Sequence, residues 1–328
     1  MNDSHNQSAA ALPQEIQSAL NTFKNAADAI TNDWHSKLKK KPVPPVIYHY
    51  TTGIGLNGIL GSGKLWLSDI LSLNDPSELL HGFDLAAQVL DNEAKIWPAE
   101  YALSAEIFKS SLKEIFKDIA LHYVCSFSKN GNDLSQWRAY ADDGYGYALG
   151  FETKSIIKAF DTSAGKLTYG AGDSFLVTYN DEKLKQIYRN LIGKLLPLAS
   201  SIHAKHLTEK AGQECLLRLL SSLVIHVLTA SSHFKHPSYL NESEYRFLKI
   251  HNPNDSKEIK LRPRNYKLIK YIEFDWASGG KNVLEEIIIG PAADFEKSKR
   301  FAEDCLRESG IDIASVEISQ SQIPYKPA

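Results

Sequence analysis

The chain has 328 residues, 43% of them hydrophobic and 23% charged, and a formal net charge of −2. Such a chain can bury a sizeable core, as one large domain or two small ones, and disordered and fibrous classes are excluded over most of its length. The near-neutral charge gives no global basic footprint that would require a nucleic-acid partner.

The polar N-terminus lacks the basic-then-apolar pattern of a signal peptide, and residues 1–12 read as disordered. Residues 13–41 show helical spacing (Ile16, Leu20, Phe23, Ala27, Ile30, Trp34, Leu38) and end in the basic run Lys39–Lys41, which suits a helix C-terminus. Pro42, Pro44 and Pro45 break the pattern, so 1–42 reads as a tail and helix ahead of one α+β domain over 43–328. Val46–Thr51 reads as a strand with Ile47, His49 and Thr51 on one face and Val46, Tyr48 and Tyr50 on the other. A short helix over 54–60 and a strand over 64–68 follow; Asn74-Asp75-Pro76 reads as a helix cap, and 76–119 as helical.

Further strands are expected over 122–128, 144–151 and 175–179, with a short helix at 136–140. Residues 182–232 read as two helices forming an insertion. Within them, the apolar stretch Cys215–Ala230 is interrupted by Arg218 and His226 and suits a buried helix better than a membrane span. The last elements are strands at 244–250, 267–274, 285–289 and 314–318 and a helix over 294–309. This order lacks the regular alternation of a doubly wound sheet and points to α+β. Cys125, Cys215 and Cys305 lie far apart without CxxC spacing and read as reduced thiols, which with the absent signal pattern suggests a cytoplasmic protein without a membrane partner.

Two motifs fail on context. Gly53-Ile-Gly55-Leu-Asn-Gly58, with Asp69 beyond, matches a dinucleotide fingerprint, but its helix is too short to cross a parallel sheet and the strand before it is polar on one face. Gly58–Lys64 matches GxxxxGK with helix before and strand after, the reverse of a P-loop, and Leu65 stands where the magnesium ligand belongs. The pairs His203/His206 and His233/His236 have helical i, i+3 spacing but no nearby acidic or cysteine partner, so no metal is expected.

Three segments remain dense in polar and aromatic residues: Tyr48–Thr52; Tyr123–Ser128 continuing through Gln136–Tyr140 to Gly144-Tyr145-Gly146; and His236–Arg246. The strings YHYTT, SFS…WR.YAD and HPSY..E.EYRFL resemble a bacterial family catalogued as a domain of unknown function, over about Tyr48 to Pro291. A strand bearing His, a short helix ending in Gly, and a second strand also resemble the opening of ADP-ribosyltransferases. That resemblance implies a split β-sheet core with peripheral helices, NAD as substrate, an unknown protein or nucleic-acid acceptor, and a setting such as a toxin or defence system.

On that resemblance Glu244 is the catalytic carboxylate, with His49 and Ser126 as the other strand-borne elements and Glu242-Ser-Glu244 as an ExE signature. Cleavage at the nicotinamide ribose passes through an oxocarbenium-like sugar that a carboxylate stabilises. His49, Tyr50, Thr51, Ser126, Tyr140 and Glu242 would contact NAD, with Tyr50, Tyr140 or Tyr145 stacking on nicotinamide. Tyr50 stands where many relatives carry glycine, and Tyr123 and Ser128 compete with Ser126 for the central-strand role. Each element also has a plainer reading: His49 as a core histidine, Glu244–Arg246 as a structural ion pair, Trp137 and Tyr140 as packing. A non-enzymatic nucleotide- or protein-binding module on the same scaffold is the alternative function.

Overall fold

The computed structural model describes residues 14–72, 77–118, 122–163, 172–205, 210–251, 258–264, 266–280 and 282–327. The Asn74–Pro76 cap, His206 and the tail over 1–12 lie outside them. The fold is mixed α+β around a ten-stranded sheet. In chain order the elements are α1 (Gln14–Lys39), β1 (Val46–Thr51), α2 (Gly53–Ser62), β2 (Lys64–Asp69), α3 (Ser77–Glu93), α4 (Ala102–Asp118), β3 (His122–Ser128), α5 (Leu134–Tyr140), β4 (Tyr147–Glu152) and α6 (Thr153–Ser163). They continue as β5 (Asp173–Leu176), α7 (Asp181–Lys205), α8 (Lys210–Ser232), β6 (Glu244–Ile250), β7 (Lys260–Arg264), β8 (Lys267–Asp275), β9 (Leu284–Ile289), α9 (Phe295–Glu308) and β10 (Glu317–Gln320).

The chain divides into two compact units. One gathers the described parts of 1–37, 79–117 and 180–232 and is entirely helical apart from short connections. Within it Tyr188 and Ser231 share a buried 2.7 Å hydrogen bond that ties α7 to α8. Gly82 faces Ser231 so closely that a Cβ there would lie 2.8 Å from the hydroxyl, which explains a glycine in mid-helix. Gly212–Ser232 is long and apolar enough to cross a membrane by composition, and 61% of its most apolar window is buried within the protein.

The other unit, 38–78, 118–179 and 233–328, holds the sheet. Among the described residues all its ladders are antiparallel except β9–β10. β1 therefore lies between two antiparallel neighbours, β3 and β4, which removes the parallel-sheet setting of a dinucleotide fingerprint. α2 is a ten-residue helix capped by Thr52, whose hydroxyl accepts from the Gly55 amide at 3.1 Å, and it ends at Gly63 with φ 65°.

Strand parity separates two faces. Ile47, Leu65, Leu67, Tyr123, Cys125, Phe127, Phe151, Tyr245, Phe247, Phe274 and Ile287 point to a large core shared with Leu56 and Leu60 of α2, Ile156 and Phe160 of α6, and Leu306 of α9. α6 has no counterpart in the sequence reading, although Ile156, Ala159 and Phe160 mark a helical stripe. The opposite face carries a smaller cluster in which Tyr50, Ala148 and Ile288 pack on Trp137 and Ala141.

β3 is the stem of the sheet. β6 pairs with all seven of its residues along one edge. The other edge is divided: β2 pairs at Tyr123 and Val124, and β1 pairs at Ser128. Between those points the two branches, β1-β4-β9-β10 and β2-β8-β7, part company and the sheet forks at Ser126.

Candidate functional site at the fork of the sheet

Register places the polar residues of β3 and β6 together. Ser126 pairs with Arg246 and Ser128 with Glu244, and all four point away from the large core because Phe127, Tyr245 and Phe247 point into it. Ser243, at φ 46°, turns the chain into β6; its amide donates to the Leu240 carbonyl and its carbonyl accepts from the Lys129 amide at 3.0 Å. The middle residue of Glu242-Ser-Glu244 is therefore the corner that aims both carboxylates.

Glu244 is only 4% exposed and is the centre of a closed network. Arg246 donates to both of its oxygens, Nε to Oε1 at 2.7 Å and Nη2 to Oε2 at 3.0 Å. Ser126 Oγ donates to Oε1 at 2.5 Å, and Lys235 Nζ lies 3.5 Å from Oε2. Lys235 also donates to Glu242 Oε2 at 2.5 Å and sits 4.8 Å from the Tyr239 ring centre. The Glu244 amide donates to Tyr179 Oη at 2.9 Å. Burial alone would raise the Glu244 pKa, but the charges of Arg246 and Lys235, with hydrogen bonds from Arg246 and Ser126, outweigh it and hold the carboxyl well below its usual range. Ser126 is the solvent-exposed member of the group, beside the buried Lys235, Glu244 and Arg246.

His49 stands apart from it. It shares the face of Ile47, and its ring lies 5.4 Å from that of Phe127, on the side opposite the Ser126 hydroxyl. Its Nδ1 meets the Ser126 main-chain carbonyl at 3.1 Å, capping the β3 edge where β1 and β2 separate. Desolvation lowers the His49 pKa against the effect of that bond, so the neutral ring donates through Nδ1. Thr51 is buried, with its hydroxyl where a Cβ on Gly55 would fall, which fixes the close approach of α2 to β1.

The other expected contacts are scattered. Tyr50 packs edge-on against Trp137, donates to the Asn130 carbonyl at 2.8 Å and accepts from the Asp133 amide at 3.0 Å, anchoring the loop before α5. Tyr140 and Tyr145 are exposed. Tyr123 points into the large core. Ser128, on the Glu244 face, donates to the Glu242 carbonyl at 3.0 Å. His233 stacks on Phe175 at 3.6 Å with Nε2 3.3 Å from Asp173, whereas His236 accepts from the Ser238 amide and caps the turn Pro237–Glu242. The three cysteines are buried; burial pushes the Cys125 thiol up to about 12.

Lys235 and Tyr179 carry no signal in the linear sequence, because the bridge between Thr178 and Phe234 is what brings their segments beside β6. Arg246 was legible at once from its place two residues along the strand.

The model of a protein family of unknown function, DUF2971, matches residues 136–247. That match opens in α5 and ends in β6, so it takes in Lys235, Glu244 and Arg246 and leaves His49 and Ser126 outside. No curated protein and no solved structure matches the chain.

Proposed function

We propose that this protein is an ADP-ribosyltransferase-like enzyme that uses NAD as substrate, with the forked sheet as its split core and the Ser126–Glu244 pair as its reaction centre. The observation that carries this reading is the 2.5 Å hydrogen bond joining an exposed strand serine to a buried, ionised carboxylate at the point where the sheet divides. In the reaction, the bond between nicotinamide and ribose breaks, nicotinamide leaves with the bonding electrons, and an acceptor hydroxyl, amine or water attacks the ribosyl carbon and loses its proton. A carboxylate with a depressed pKa stays anionic at neutral pH. The role of Glu244 is then electrostatic and hydrogen-bonding, directed at the ribosyl cation or a ribose hydroxyl, and not proton donation. Ser126 positions it. His49 acts at one remove, by fixing the carbonyl of Ser126 and hence the shape of the fork.

A second reading has its own observation. The bidentate Arg246 contact and nearby Lys235 already neutralise Glu244, which suits a buried organiser in a non-catalytic nucleotide-binding module. Nicotinamide release from NAD by the purified protein separates the two. Release that disappears in Glu244→Gln and falls in Ser126→Ala supports the enzyme. NAD binding by calorimetry without any release, in a protein that melts cooperatively, supports the module. Ser126→Ala keeps the test decisive should Glu244→Gln unfold.

A further inference from the structure

A second concentration of chemistry lies on the other branch of the fork. Residues 260–271 carry Lys260, Arg262, Arg264, Lys267 and Lys270 with no acidic residue, in a chain whose net charge is −2. Register aligns Ser68 with Tyr271 and Trp66 with Glu273, and Lys260 with Tyr271, so Trp66, Ser68, Lys260, Arg262 and Tyr271 share one face. The pairing of Ser68 with Val124 continues that face into β3, two residues before Ser126.

On this face Trp66 is 44% exposed, and its ring centre lies 4.6 Å from that of Tyr271. The Arg262 guanidinium sits 5.1 Å over the indole and donates through Nη2 to Ser68 Oγ at 2.9 Å, while its Nε–H is buried without an acceptor among the described residues. Lys64 and Lys260 converge on Glu273 at 2.8 and 2.7 Å. Cations and a proline on an edge strand also discourage pairing with other chains, which accounts for β7 alone. It does not account for a large indole left open on β2 in the middle of a cationic face.

We propose that the face bearing Trp66, Arg262 and Lys260 binds single-stranded nucleic acid. Trp66 stacks an unpaired base and the hairpin cations follow the phosphates, the combination by which flat sheets hold single strands without reading sequence. A duplex keeps its bases stacked inside and offers the indole nothing. The exposed Leu261 and Leu268 point to the opposite side of the hairpin from Arg262, so the aromatic and cationic groups form a surface of their own. This binding is independent of the proposed transferase chemistry, and its test contains no NAD.

The test is fluorescence anisotropy of labelled oligothymidylate titrated with the full chain, beside a duplex of equal length and phosphatidylserine vesicles. The expected result is single-strand binding that weakens as salt rises and quenches tryptophan emission. Trp66→Ala should weaken it about tenfold or more, and Trp66→Phe should retain most of it. Lys267→Gln, exposed and on the Arg262 face, should flatten the salt dependence without changing the melting temperature, whereas Lys270→Gln, on the Leu261 side, should not. The proposal is overturned by absent binding, by equal affinity for the duplex, or by affinity that Trp66→Ala leaves intact. Stronger association with the vesicles also overturns it and assigns the hairpin to an anionic lipid surface.

Discussion

Along β6, neighbouring residues are held by unlike forces. Tyr245 and Phe247 enter a shared aromatic core in which the Phe247 ring meets those of Phe127, Phe160 and Phe274 at 5.0–5.6 Å. Glu244 and Arg246, on the opposite face, are as deeply buried but depend on one another, on Lys235 and on Ser126. Apolar contacts are many and individually small, so their loss is graded. An ion pair removed from water is conditional: each charge is tolerated only while its partner is present. Stability on the first face is distributed, and on the second it is concentrated in a few groups that are also the candidates for chemistry.

The largest effect should come from breaking the ionic side alone. Arg246→Met leaves Glu244 buried with incomplete compensation and should cost ~3–5 kcal/mol in urea unfolding. Adding Glu244→Gln to it should recover part of that loss, because the stranded charge is gone; equal or greater loss in the double variant would contradict the conditional picture. Acid distinguishes the faces next. The folded pKa of Glu244 is depressed, so its contribution is complete above the unfolded carboxylate value, about 4, and is lost as pH falls through the folded value. Wild-type stability should therefore fall more steeply below that pH than stability of the Glu244→Gln variant, measured by urea midpoints across a pH series.

On the aromatic side, Phe247→Leu removes three carbons from a fully buried side chain and should cost about 1–3 kcal/mol, with no such pH signature. The smallest change is expected for Ser126→Ala. Ser126 is an exposed residue, so losing its one bond to the carboxylate should cost about 1 kcal/mol while still lowering any NAD chemistry.

Much of the strand and helix order was legible because it is local. Alternation in Tyr123, Cys125 and Phe127, and again in Tyr245 and Phe247, marks the core face, and the Thr52 cap and the glycines bound α2. Alternation also puts His49 with Ile47 and Thr51, but it cannot say which face of β3 those residues meet. That depends on the single pairing of Tyr48 with Ser128, a contact between segments remote in sequence. The Ser126–Glu244 contact follows from the β3–β6 register, and the Arg246 clasp was readable as its plainer alternative. Lys235 was not readable, because an isolated bridge delivers it. β7 is a different case: Pro263 and the alternating cations suit an edge strand, and its bounds are set by the partner strand β8.

The stem position of β3 has a consequence for how the chain is made. Ser126 and Glu244 are 118 residues apart, and β6 is the partner of every residue in β3. At a synthesis rate of about 5–20 residues per second, β3 waits roughly 6–24 s on the ribosome before β6 exists. During that interval the apolar strand has an unfilled edge, so nascent chains truncated between residues 128 and 244 should be the ones that recruit chaperones most strongly.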